Sequence, residues 1–205
     1  MEITNDPPGR LGTDHRARPY GSATSIAGLT VIHLDLLHDG RGWQKTCFDQ
    51  ARNVELGLPA SFAPTRWLAN SNQKRGVTRG IHAEMCNKLV SSSRGQFWTV
   101  VVDLRAGPTF GMTEQIMLTP TSAVFIPIGC GNSYQTLSAD AQYGYVADTV
   151  ATPAAPRAAV SLADPTLAIR WPIPLGEAIV LDDDLHRPTL AEITPIDLSF
   201  LRIRD

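Results

Sequence analysis

The sequence predicts an all-β fold, a barrel or sandwich of short strands, on three observations. Runs of four to eight residues rich in Val, Ile, Thr and aromatics recur at short spacing along most of the chain. Gly (16) and Pro (15) are spread between them as turn punctuation rather than clustered in a linker. The 205 residues, 43% of them hydrophobic, suffice for one core in one domain.

The elements follow in order. Residues 1–25 are polar, rich in Pro, Gly and Arg, and lack a hydrophobic period, which predicts a flexible arm ahead of a single domain over 26–205. Alternation in 28–36 predicts a strand, His38-Asp-Gly-Arg-Gly42 a turn, and 44–56 a short helix. A weaker strand pattern covers 62–71. From Gly76 the texture is β throughout: 97–103, 114–118, 123–127 and 142–148 read as strands, with a loop over 104–111. Leu167-Ala-Ile-Arg-Trp171 reads as a further strand closed by Pro172, and 189–201 as a terminal helix or two turns.

The bulk numbers exclude several classes. Eighteen Lys and Arg against twenty Asp and Glu give a net charge of -2, so bulk electrostatics predict neither a nucleic-acid nor a membrane-surface partner. The three cysteines, Cys47, Cys86 and Cys130, have no CxxC spacing, which argues against a disulfide framework or a zinc knuckle. No apolar run reaches the length of a membrane span and the N-terminus has no apolar signal segment. The expectation is a soluble cytoplasmic protein.

One stretch is specific. Arg75-Gly-Val-Thr-Arg-Gly-Ile-His82 is followed by Lys88-Leu-Val, Gly95, Val102-Asp-Leu-Arg105 and Gly107-Pro-Thr-Phe-Gly111. Arg41-Gly-Trp precedes it, and Ile126-Pro-Ile-Gly129, Tyr145, Asp164-Pro165, Trp171-Pro172 and Pro188-Thr-Leu190 follow in order. Over roughly 28–190 this pattern resembles the dTDP-4-dehydrorhamnose 3,5-epimerase family. The resemblance implies a cupin or jelly-roll β-barrel with short peripheral helices, a homodimer, a nucleotide-sugar substrate, and no cofactor. It implies an isomerase that inverts C3, C5 or both of an NDP-4-keto-6-deoxyhexose through an enolate. Such chemistry needs a base near its working pKa, an acid on the opposite face, and positive charge near the enolate oxygen.

By motif the resemblance assigns the base to His82, the acid to Tyr145, the enolate lysine to Lys88, and the carboxylate beside the histidine to Asp184. It places Arg41 and Arg79 at the diphosphate; at two positions that depart from the family, Trp67 could stack on a nucleobase and Asn132 stands where the family has a histidine, both in the substrate shell. Read from the residues alone, alternatives stay open. His82 also fits a core histidine, Tyr143 or Tyr134 could replace Tyr145, Asp183 rivals Asp184, and Trp67 fits a core position. A metal site is not expected: His82-Ala-Glu84 offers one His and one Glu, the histidine a metal barrel would use is Asn132, and the other histidines lie elsewhere. The chain also departs from the family pattern at Thr46, Trp67, Ala69, Ala83, Glu84, Thr99, Asn132, Val146 and Val150-Ala151, which bears on the nucleotide and on the carbon inverted. A related epimerase of another 4-keto sugar nucleotide, such as a GDP-linked heptose, and a non-catalytic sugar-nucleotide-binding barrel are the competing readings.

Overall fold

The computed structural model describes residues 22–148 and 158–199, and its regular structure is mostly antiparallel strands. They are β1 (Ser22–Ala23), β2 (Thr30–His33), β3 (Leu37–Asp39), β4 (Gly42–Gln44), β5 (Arg66–Gln73), β6 (Thr78–Ala83) and β7 (Lys88–Arg94). Then come β8 (Phe97–Asp103), β9 (Thr113–Leu118), β10 (Ser122–Ile126), β11 (Cys130–Thr136), β12 (Ala141–Ala147) and β13 (Ala158–Ala159). Two short α-helices, α1 (Gln50–Glu55) and α2 (Asp182–Leu185), lie at the periphery.

The strands form two facing sheets, ordered β1-β2-β10-β7-β12-β5 and β13-β6-β11-β8-β9, with β3 and β4 as a separate hairpin. Between the sheets lies a core that includes Val90, Phe97, Val101, Val124, Tyr134 and Tyr143. Because side chains alternate along a strand, the neighbouring positions face outward. The outer face of the five-stranded sheet buries Ile81, Val100, Val102 and Leu104 under the chain from Val160 to Leu198. The outer face of the six-stranded sheet packs Leu89 and Phe125 against Leu58 and Phe62, near α1. This double covering explains the unbroken Val100-Val-Val102 run of β8, since both of its faces are dry.

Several expectations shift. Residues 1–21 of the predicted arm lie outside the described residues, while Ser22–Ala23, placed in that arm by the sequence, pair with β2. The 44–56 helix contracts to α1, where the Asp49 side chain accepts from Arg52 N. The 167–171 strand does not form. Asp164 caps a 3-10 turn over Pro165–Leu167, Ala168 turns left-handed at φ 48°, and Trp171 then donates to Leu162 O at 3.2 Å. That apolar segment is a lid over the outer core, with tertiary contact taking the place of ladder pairing. Within 189–199 a 3-10 turn forms over Leu190–Glu192. The sequence pattern assigns no element to 130–136, yet β11 is the central strand beside β6 and β8. Its Gly131 is forced by packing, because a Cβ there would stand 2.6 Å from Ile81 Cγ2.

Asp103 ends β8 and organises the Leu104–Gly111 loop. It accepts from Arg105 Nε (2.8 Å), Arg105 Nη2 (2.7 Å) and Thr109 Oγ1 (2.8 Å). Burial pushes its carboxyl up, but the Arg105 and Thr109 hydrogen bonds outweigh that and hold it below the ordinary range. A depressed folded-state value means the stabilisation is present above the unfolded pKa and is lost as pH falls through the folded one. Asp103→Asn should therefore cost roughly 2–3 kcal/mol in urea unfolding at pH 7. The gap to the unsubstituted protein should narrow at pH 3; a gap unchanged by pH would contradict the account.

Candidate active site

Where β6 runs beside β11 the backbones come too close for a side chain. A Cβ on Gly80 would lie 2.6 Å from Asn132 O and 2.7 Å from Ser133 Cα, and its φ of +115° suits glycine alone. The register between the strands slips at this point, between Asn132 and Tyr134. As a result Arg79 lies beside Tyr134 and His82 beside Asn132. Ser133 fixes the slip by donating its hydroxyl to Arg79 O at 2.6 Å.

Ile81 and Ala83 belong to the outer core, so His82 projects to the inner side. Its Nε2 lies 3.0 Å from Asp184 Oδ1. The other oxygen, Oδ2, accepts from Gly80 N at 3.3 Å. A carboxylate can only accept, so His82 Nε2 carries the proton and the lone pair sits on Nδ1. The Asp184 side chain is 5% exposed. It is the inward member of α2; Asp182 and Asp183 face solvent, and Asp183 instead pairs with Arg187 at 3.9 Å. The helix is tied down by Ser161 Oγ donating to Leu185 O and by Leu162 N donating to Asp184 O.

The six-stranded sheet supplies the opposing wall. Tyr145 of β12 pairs with Val90 of β7 and Leu68 of β5. Lys88 opens β7 with its ammonium 5.3 Å from the Tyr145 ring centroid, its side chain only 8% exposed. Glu84 lies 3.2 Å from Lys88 Nζ. Burial pushes the Glu84 carboxyl up, but Lys88 and the nearby Arg66 outweigh it and hold the group low. Burial first, then the charge of Glu84, raises the Tyr145 phenol, which therefore stays protonated at neutral pH.

The two tyrosine rivals sit deeper. Tyr143 is fully buried, donates its hydroxyl to Asn132 Oδ1 at 3.1 Å, and stacks on Tyr134 with centroids 4.2 Å apart. Burial raises both phenols, Tyr134 to about 12. Asn132 thus ties the two sheets together below His82. The Tyr145 ring, half-buried beside Lys88, is the one nearer the opening.

Not every expected residue comes to this place. Trp67 lies on the outer face of β5, 75% exposed, and lines a cleft of about 320 Å³ with Cys47, Ser91, Gly144 and Tyr145. The period of two accounts for this placement: Leu68 and Asn70, not Trp67 and Ala69, take the inner positions, and Asn70 approaches the Tyr134 phenol. Arg41 sits in the β3–β4 turn, 90% exposed, with its guanidinium held by Asp39 at 2.6 Å. Sequence reasoning also passed over Arg66 and Glu84 as site residues. Their inward facing follows from the same period, counted from Leu68 and His82. Among the described residues no group of three or more His, Cys, Asp or Glu is placed to hold a metal ion, and no helix is long and apolar enough to cross a membrane.

A family profile described as dTDP-4-dehydrorhamnose 3,5-epimerase matches residues 23–192. A Streptococcus pyogenes serotype M6 protein described as an RmlC homolog is 35% identical over 83% of this chain and 89% of its own. The dTDP-4-dehydro-6-deoxyglucose 3-epimerase of Streptomyces bikiniensis is 36% identical over 78% of this chain and 82% of its own. The structure of RmlC from Streptococcus suis in complex with dTDP-D-xylose superposes with a TM-score of 0.76 at 35% identity, covering 84% of this chain and 91% of that one.

The close approach at Gly80 generates a prediction. Gly80→Ala combines positive-φ strain with overpacking against backbone, so it should cost roughly 2–4 kcal/mol in denaturant unfolding. A melting temperature unchanged from the unsubstituted protein would contradict the packing described.

Proposed function

The chain belongs to the dTDP-4-dehydrorhamnose 3,5-epimerase family, and from that premise we propose that it inverts C3, C5 or both of a dTDP-linked 4-keto-6-deoxyhexose by proton transfer through an enolate. The observation that carries this reading is the arrangement of two walls. The His82–Asp184 pair stands on one sheet and its flanking helix, and Lys88 and Tyr145 stand on the other. A nucleotide-sugar epimerase needs a base and an acid that reach opposite faces of one ring.

His82 Nδ1 takes the proton from the carbon beside the ketone. The electron pair of that C–H bond moves into a carbon–carbon double bond, and the ketone oxygen becomes the enolate oxygen. Lys88 offsets its charge, and Asp184 stabilises the imidazolium just formed. Tyr145 then gives its phenolic proton to the far face of the carbon, whose configuration is now inverted. Solvent returns a proton to the phenolate, and the imidazolium releases one. Arg79 on the inner face of β6 suits a diphosphate oxygen, which a guanidinium fork can grip.

The assembly we propose is a homodimer. Strand β5 ends its sheet as an eight-residue edge, Arg66–Gln73, with neither lysine nor proline along it. A second copy would cover that edge, and the exposed β3–β4 turn would bring Arg41 to the neighbouring diphosphate. The 36% identity to a 3-epimerase supports inversion at one carbon as readily as at two.

Proton exchange in D2O, read by NMR on dTDP-4-keto-6-deoxyglucose, tests the roles. His82→Ala should abolish exchange at every carbon. Tyr145→Phe should still wash deuterium into the substrate, yet lose inversion by roughly 10²-fold or more, because the enolate is reprotonated from the His82 side. Exchange at the unsubstituted rate in His82→Ala would overturn the base assignment. Equal loss of exchange and inversion in Tyr145→Phe would overturn that of the acid.

A further inference from the structure

Glu84 stands in the pocket wall, and the proton transfers above give it no task. It follows His82 by two residues, and with His82, Ala83 and Arg187 it lines a cleft of about 980 Å³. Its Oε2 meets Lys88 Nζ at 3.2 Å, and Cys86 Sγ approaches the same oxygen at 3.8 Å. Both contacts fall on Oε2. The side chain is 44% exposed while Lys88 is 8% exposed, so the carboxylate forms the open side of the pair.

The chemistry of that placement is restrictive. An ionised carboxylate accepts hydrogen bonds and repels other oxygens that carry negative charge. A ketone turning into an enolate on Lys88 must therefore keep its oxygen away from Glu84 Oε1. A donor on the next carbon would instead be drawn to that oxygen, one carboxylate width from the lysine. On a keto sugar the donor attached to the carbon beside the ketone is a hydroxyl.

We infer that Glu84 Oε1 accepts a hydrogen bond from a hydroxyl on the carbon adjacent to the substrate ketone, so that Glu84 and Lys88 together select α-hydroxy ketones. The inference rests on the 4-keto-sugar reading and narrows it to sugars whose C3 hydroxyl is free. Glu84 is then a specificity residue, and a 3-deoxy or 3-O-alkylated 4-keto sugar is a poor substrate.

The test compares dTDP-4-keto-6-deoxyglucose with its 3-deoxy counterpart, following deuterium wash-in at both C3 and C5, which carry exchangeable protons in either sugar. The native enzyme should favour the 3-hydroxy sugar by about 10- to 100-fold in kcat/KM, the range of a hydrogen bond to a charged group. Glu84→Ala should bring the ratio close to one. Glu84→Gln, whose amide oxygen still accepts, should keep part of it. A ratio is taken on one protein at a time, so partial unfolding of a variant does not mimic the effect. A ratio in Glu84→Ala equal to the native one, with both substrates slowed alike, would show that Glu84 only positions Lys88 and would overturn the inference alone. Absence of exchange with either sugar in the native enzyme would overturn the 4-keto-sugar reading and this inference with it.

Discussion

Asp184 accepts from two donors on β6, the Gly80 amide and the His82 ring, and it is too buried for water to replace either. Much of the site follows from satisfying that carboxylate. The Gly80 amide is available because β6 passes so close to β11 that the residue has no room for a side chain. The same passage sets the register slip that puts Arg79 and His82 on one face of a strand where strict alternation would separate them. The imidazole, tied at Nε2, has one tautomer and one exposed lone pair. Removing either donor would leave a buried acceptor unpaired, which is costly in a protein interior.

The second wall depends on burial of a different kind. Lys88 holds its ammonium in a nearly closed position against the Tyr145 ring and the Glu84 carboxylate. The carboxylate offsets part of the lysine charge, and burial, with the carboxylate second, raises the neighbouring phenol, which favours a proton donor over a phenolate. The deeper tyrosines are held differently. Tyr143 spends its hydroxyl on Asn132 and joins the sheets, so it supports the pocket floor and leaves the opening to Tyr145.

Much of this was legible in the sequence, for physical reasons that differ by element. Strand β8 was plain because a strand dry on both faces is a continuous apolar run. Strand β11 was hidden because its packing against Ile81 demands glycine, which reads as a turn. The 167–171 segment is apolar enough for a strand but covers a sheet without joining it. His82, Lys88, Tyr145 and Asp184 came from motif resemblance; the fold pairs His82 with Asp184 and sets Lys88 against Tyr145 on the facing sheet. Trp67 stands apart from them, because on β5 it faces outward while Leu68 and Asn70 take the inner face. Glu84 was visible as a departure from the family pattern and as the carboxylate beside His82, but its partnership with Lys88 is made across a turn between strands and was not read from the sequence.

The central claim is that proton removal and return happen on opposite walls. The most direct measurement is the isotopic content of the inverted carbon after a single turnover in D2O, read by NMR or mass spectrometry on product and unreacted substrate together. Two walls predict a full deuterium at the inverted carbon of the product, delivered by a phenol already equilibrated with solvent, while unreacted substrate still carries protium. Product that retains the original hydrogen at that carbon would mean one group both takes and returns it, and would contradict the account.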